Sequence, residues 1–281
     1  MSTHFYSYLI TIHNKAKLKK NIPPEDYALV QDNAFAVCDG VTLDHQHPYQ
    51  NPSPAAHAAK LAAETLVQAL KKSQGKDLLQ RAFIKANRAI HRYNISMGVT
   101  YRTVDFLQKQ YAATVASFGI INGHTLRWGQ INDCGVMVLD HSGRIVMNQI
   151  LDQKPYSDFI ADHRRKKMSI EGTAAEHRFV RKYVVNSQTL HYGNKSINWG
   201  VMTGQPVARH FLRTGRFVIK ARQIVLFYSD GLMPFLELVS FRKKMVSMKG
   251  VHQIRKFILS LSKQGPKFRK EKTMVIIRPN N

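Results

Sequence analysis

Apolar and polar side chains alternate over residues 5–12, a second such stretch covers 27–30, and an apolar run at 34–38 stops abruptly at Asp39-Gly40. Patterns of this length predict short strands. After Asn51-Pro52-Ser53-Pro54 the spacing changes: Leu61, Leu66, Val67 and Leu70 recur as on one face of a helix running over 55–72. Ser53 suits its N-cap and Pro54 its first turn. Beyond the Ser-Gln-Gly break, Leu78, Leu79, Phe83, Ile84, Ala86 and Ile90 mark a second helix from about 76 to 96.

Period two returns over 112–121, 125–131, 135–139 and 145–147, with turns at Asn122-Gly123 and His141-Ser142-Gly143. This predicts one antiparallel meander. Residues 150–222 are irregular, with helical pieces near 156–162 and 174–183 and short strands expected later in the stretch. A strand at 223–228 runs into Ser229-Asp230-Gly231, helices follow near 232–239 and 251–261, and a strand closes the chain at 273–278. The order predicts an α+β domain with a largely antiparallel sheet. No repeat or linker-like segment divides residues 1–281, which reads as a single domain.

Composition adds boundaries to this picture. The 281 residues are 44% apolar and 21% charged, which excludes a disordered tail protein, a collagen-like chain and a disulfide-rich mini-domain. No stretch reaches the roughly 18–20 apolar residues of a membrane span. The opening residues turn basic only after their apolar part, the reverse of a secretory signal, so a cytoplasmic protein is expected. Cys38 and Cys134 have no zinc spacing and are expected to be reduced and buried. Charge is the unusual feature. There are 42 Lys and Arg against 18 Asp and Glu, a net +24, and residues 151–281 carry 26 of the basic side chains. The dense runs are 163–167, 242–244 and 267–272. Such an excess favours contact with polyanions or long-range attraction of phosphorylated partners.

Three aspartates fall where strands end: Asp39, Asp133 and Asp230. Each Asp-Gly on its own also reads as a tight turn. Together, carboxylates delivered to strand tips form a set of hard oxygen donors that selects Mg²⁺ or Mn²⁺ over zinc. The ordered string Glu25-Asp26, Phe35-Ala36-Val37-Cys38-Asp39-Gly40-Val41, Ala113-Thr114-Val115, Ile131-Asn132-Asp133-Cys134-Gly135, Phe227-Tyr228-Ser229-Asp230-Gly231-Leu232 and Thr273-Met274-Val275-Ile276-Ile277 resembles the PPM-type (type 2C) metal-dependent serine/threonine phosphatases, in a divergent bacterial form. The likeness spans nearly the whole chain.

The resemblance implies a four-layer αββα sandwich, two antiparallel sheets flanked by helices, with a binuclear Mg²⁺ or Mn²⁺ centre at one end. By position, Asp39 would bridge two ions, the Gly40 carbonyl would complete one, Asp230 would bind the other, and Asp133 with Asp230 would suit an accessory ion. Asp26 would hold metal-bound water. A bridging water would hydrolyse phosphoserine or phosphothreonine in a phosphorylated protein substrate. One departure bears on activity: where the family places its last metal-binding aspartate, this chain has Lys270, followed by Glu271. Either Glu271 substitutes as ligand, or one ion is weakened or lost, or the chain is a non-catalytic relative that binds phosphoproteins or other anions. Lys17, Lys19, Lys20 and Lys270 are candidates for contacting phosphate.

Other features carry less. His45 and His47 lie close after an Asp-Gly tip, Trp128 and Trp199 read as packing residues, and Ser229 lacks the context of a nucleophile. A basic nucleic-acid-binding protein is a further alternative, although no recognition motif accompanies the charge.

Overall fold

A computed structural model describes residues 5–14, 18, 19, 21, 23–42, 52–72, 74–106, 108–167 and 173–279. Among them, ten strands form two five-stranded antiparallel sheets. The first contains β1 (Phe5–Ile12), β12 (Lys272–Pro279), β11 (Ile224–Tyr228), β6 (Gly135–Leu139) and β7 (Ile145–Gln149), in that order. The second contains β10 (Arg213–Val218), β5 (Thr125–Ile131), β4 (Thr114–Asn122), β3 (Ala34–Gly40) and β2 (Asp26–Gln31). A short hairpin, β8 (His191–Tyr192) with β9 (Lys195–Ser196), stands apart.

Strand periodicity sorts the side chains into three apolar layers. Phe35, Val37, Val225, Phe227, Val275 and Ile277 point between the two sheets. Their neighbours Ala34, Ala36 and Cys38 face outward against α1 (Pro54–Lys72) and α2 (Leu78–Ser96), whose alanine-rich inner faces let the helix pair settle close to the sheet. On the other side Ile224, Leu226, Met274 and Ile276 pack under α5 (Met233–Leu236), α6 (Val239–Ser247) and α7 (Val251–Leu261). The layering is therefore helix, sheet, sheet, helix. Continuous apolar runs at β3, β11 and β12 follow from burial on both faces.

One expectation needs correction. Residues 112–147 do not form one meander: β4 and β5 lie in one sheet and β6 and β7 in the other. The chain crosses between sheets at Asn132-Asp133-Cys134, where Asn132 takes a left-handed φ of 63°, a conformation asparagine tolerates. Alternation alone is blind to such a crossing. In the irregular stretch, β10 pairs with β5 along an edge, carrying the polar sequence RTGRFV. Two further helices, α3 (Lys154–Lys167) and α4 (Ala174–Phe179), the latter continued by a π-helical turn at Val180–Val184, come between β7 and β8 in the chain. No helix of the described residues is long and apolar enough to cross a membrane.

Phe227 is fully buried and its ring centroid lies 4.9 Å from that of Phe35 across the sheets. Phe227→Ala is expected to lower stability by about 3–5 kcal/mol, measured as a shift of the urea-unfolding midpoint with an unchanged slope.

Candidate active site

One end of the sandwich gathers strand termini from both sheets. Asp26 opens β2 directly opposite Asp39 near the end of β3. Asp133 sits in the sheet-to-sheet crossing, Asp230 follows β11, and Lys270 and Glu271 precede β12. All six line one cavity of about 320 Å³, together with Glu25, Gly40, Thr42 and Trp199.

Local chemistry explains why these residues hold their places. The Gly40 N–H donates to the Glu25 carbonyl at 3.1 Å, and a Cβ at position 40 would meet the Ala55 carbonyl oxygen at 2.7 Å. Only glycine permits that approach. Thr114 Oγ1 donates to the Asp39 carbonyl at 2.7 Å. The Glu25 carboxylate accepts from Thr42 and, at 3.0 Å, from Ser53. Ser53 Oγ also accepts the Ala56 N–H at 3.1 Å, the capping bond expected from the sequence. Ser229 Oγ donates to Asp26 Oδ2 at 2.7 Å and accepts the Thr273 N–H at 3.0 Å, so this buried hydroxyl ties one sheet's carboxylate to the other sheet's last strand. Gln153 Nε2, on the approach to α3, donates to Asp133 Oδ2 at 3.0 Å.

Burying several carboxylates together shifts their protonation. Burial, followed by repulsion from Asp26, Asp230 and Asp133, holds the Asp39 carboxyl well above its ordinary range. Burial and the charge of Glu271 push Asp26 up to about 7, against the opposing hydrogen bond from Ser229. Burial and Asp230 bring Asp133 to about 6. Asp26 and Asp39 also share a hydrogen bond that favours the proton on Asp39.

Lys270 enters this negative field. Its Nζ lies 2.6 Å from Asp230 Oδ2. Burial alone would lower the ammonium, but Asp230, with Asp133 and Asp39 behind it, raises it above its usual value. Glu271 points elsewhere: its carboxylate accepts the Glu25 N–H at 3.1 Å and lies 3.1 Å from His13 Nδ1. The successive residues thus divide. Lys270 meets the aspartates, and Glu271 fastens the start of β12 to the start of β2. A Cβ at Gly231 would fall 1.8 Å from the Glu271 carbonyl oxygen, so the Asp230-Gly231 turn packs flush against this segment.

Of the other sequence candidates, Lys19 is exposed, while Lys17, Lys20, His45 and His47 lie outside the described residues. Cys38 and Cys134 are buried free thiols, pushed up by burial and by the neighbouring carboxylates, which leaves them inert. Trp199, read as a packing residue, lines the cavity and stacks on Tyr156 with centroids 3.8 Å apart. Sequence reasoning assigned no role to Gln153 and dismissed Ser229, whose function here is to position Asp26. Only the adjacency of Ser229 to Asp230 hinted at it.

No family model matches the chain, and no curated protein does. Solved structures do match over its full length. The catalytic domain of the serine/threonine phosphatase PstP, solved with two manganese ions, superposes with a TM-score of 0.63 at 16% identity, covering 100% of both chains. PppA of Pseudomonas aeruginosa, a regulatory component of a type VI secretion system, gives 0.60 at 13%, covering 99% of each. The PPM phosphatase MsPP from Mycobacterium smegmatis gives 0.58 at 14%, covering 100% of each. The chain has the fold of the PPM-type serine/threonine phosphatases. At these identities the likeness is one of fold, and the chemistry rests on this chain's own side chains.

Those side chains present hard oxygen donors. Among the described residues no three His, Cys, Asp or Glu side chains form a ready cage for one ion. Mg²⁺-class ions do not require one, since they keep several waters and bind through one or two carboxylates. Asp39 beside Gly40, with Asp133 across the cavity, suits that mode. The position against Asp230 is held by an ammonium.

A carboxyl raised on folding contributes stability below its unfolded value of 3.8 that is lost as pH climbs toward its folded value, here about 7 for Asp26. In EDTA the melting temperature is therefore expected to fall by about 5 °C or more between pH 5 and pH 8. Asp26→Asn should flatten that slope in thermal scans; an unchanged slope contradicts the assignment.

Proposed function

We propose that the cavity hydrolyses phosphate esters of serine or threonine side chains on protein substrates. The observation that supports this most directly is the meeting of Asp26, Asp39, Asp133 and Asp230, from four separate chain segments, in one 320 Å³ cavity of a phosphatase fold. Asp39, Gly40 and Asp133 would hold one hard divalent ion, Mg²⁺ or Mn²⁺. Such an ion, when bound, polarises a phosphoryl oxygen and lowers the pKa of coordinated water. The residues do not suit a pair of ions, because the Lys270 ammonium stands where a second would meet Asp230.

In this reading the protein's own groups divide the labour. Lys270 keeps its proton, neutralises Asp230 and, exposed at the rim, has N–H donors left for a phosphoryl oxygen while it stays paired. Ser229 holds Asp26 against Asp39, and Gln153 orients Asp133. Trp199, Val115 and Val201 give the cavity an apolar wall that limits water. The basic second half draws acidic phosphoproteins from a distance, an effect that salt screens.

The Lys270–Asp230 ion pair also favours a second reading, in which the cavity binds phosphoproteins without turning them over. p-Nitrophenyl phosphate hydrolysis at saturating Mn²⁺ separates the two. Asp39→Asn is expected to lower the rate at least about 100-fold relative to the natural chain. If the natural chain shows no turnover above that variant and still retains a phosphoserine peptide, the binding reading replaces the hydrolytic one.

Lys270→Asp supplies a test of the ion count. It should raise the Mn²⁺ stoichiometry, measured by equilibrium dialysis, from one per chain to two; a stoichiometry of two in the natural chain defeats the single-ion assignment.

A further inference from the structure

A second cavity, of about 300 Å³, opens at the opposite end of the first sheet. It is bounded by the start of β1, the end of β12, the turn before β11, the β6–β7 turn and the C-terminal end of α6. Its charged lining consists of Arg222, Lys249 and Arg278 with His141 nearby, and among the described residues no carboxylate lines it. The acidic neighbour of His141, Asp140, is engaged by its own turn: it accepts from Ser142 and from Arg144 Nε at 2.8 Å.

The walls are built from ordered parts. Arg278, paired with Tyr6 across β1 and β12, donates from Nη2 to the Met245 carbonyl at 2.6 Å and from Nη1 to the Val246 carbonyl at 3.0 Å, capping the end of α6. Tyr8 donates to the Lys249 carbonyl at 2.8 Å. Gln223 Oε1 accepts the Lys220 N–H at 2.8 Å, which closes the turn that presents Arg222 in a left-handed conformation, φ 61°. On the β1 side, Tyr6 and Tyr8 project from the same face with ring centroids 6.1 Å apart, and Tyr6 is 44% exposed.

Like charges lining one cavity with no carboxylate among the described residues there favour an anion, and guanidinium with ammonium donors favour phosphate in particular. An exposed aromatic face beside them adds a platform for a planar ring. The volume sits at the small end of the roughly 300–1,000 Å³ typical of ligand sites, which suits a mononucleotide. We propose that this distal pocket binds a nucleoside 5′-monophosphate, with the phosphate between Arg222 and Lys249 and the base against Tyr6. The proposal stands independently of the chemistry at the acidic end.

Adenosine 5′-monophosphate is the probe, titrated calorimetrically into the whole chain in EDTA at low salt, with adenosine and inorganic phosphate as comparisons. One saturable site is expected, with adenosine and phosphate each at least about tenfold weaker. Arg222→Ser combined with Lys249→Ser changes two exposed side chains and should weaken binding about tenfold or more while the circular dichroism spectrum stays unchanged. Tyr6→Ala should remove the preference for the nucleotide over inorganic phosphate. Asp39→Asn should leave the affinity as it was. The proposal is overturned if no saturable binding appears up to millimolar nucleotide, if the Arg222/Lys249 variant binds as tightly as the natural chain, or if binding is lost in Asp39→Asn.

Discussion

Mutual repulsion among carboxylates buried at one end of the sandwich is the constraint around which this molecule is arranged. Asp39, Asp26 and Asp133 all sit above their ordinary protonation range, first because of burial and then because neighbouring carboxylates oppose ionisation: Asp26 and Asp230 act on Asp39, Glu271 and Asp230 on Asp26, and Asp230 on Asp133. A fold that concentrates negative charge in this way must supply compensation, and the compensation here is visible in detail. Ser229 donates to Asp26, Gln153 to Asp133, and Thr42 and Ser53 to Glu25. Lys270 adds a cation attached to the chain, placed 2.6 Å from Asp230. An ion pair of this kind, partly open to solvent, adds little to stability. Its consequence is electrostatic: the cavity needs one positive charge fewer from outside.

The two halves of the Lys270-Glu271 dipeptide illustrate how a strand start can divide two tasks. With Lys270 turned to the aspartates, Glu271 is carried to the β2 side, where the Glu25 N–H and His13 are waiting. Gly231 permits the arrangement, since any side chain there would strike the Glu271 carbonyl.

Charge is also polarised along the sandwich. The acidic cavity occupies one end, and a cavity lined by Arg222, Lys249 and Arg278 occupies the other. Strands such as β11 and β12 run from one to the other, with Asp230 beyond the far end of β11 and Arg222 before its start. The excess of +24 is thus compatible with a concentrated local negative region, because six carboxylates line one cavity while basic side chains line the distal one.

Much of this was legible in the linear chain. Helix spacing with a Ser53 cap located α1, apolar runs ending in Asp-Gly located β3 and β11, and the order of short motifs pointed to the four-layer sandwich that the solved phosphatases share. These signals are local: a cap, a period or a turn is written in consecutive residues. The crossing of the chain between sheets at Asn132 was not legible, because β5 and β6 alternate alike whichever sheet they join. The polar edge strand β10 was legible only as a short strand somewhere in an irregular stretch, because its place in the sheet depends on its pairing partner. The amino-acid order determined which residues could do chemistry; the tertiary structure decided which of them meet, since contact between Lys270 and Asp230, 40 positions apart, depends on where the backbone of two paired strands comes to an end.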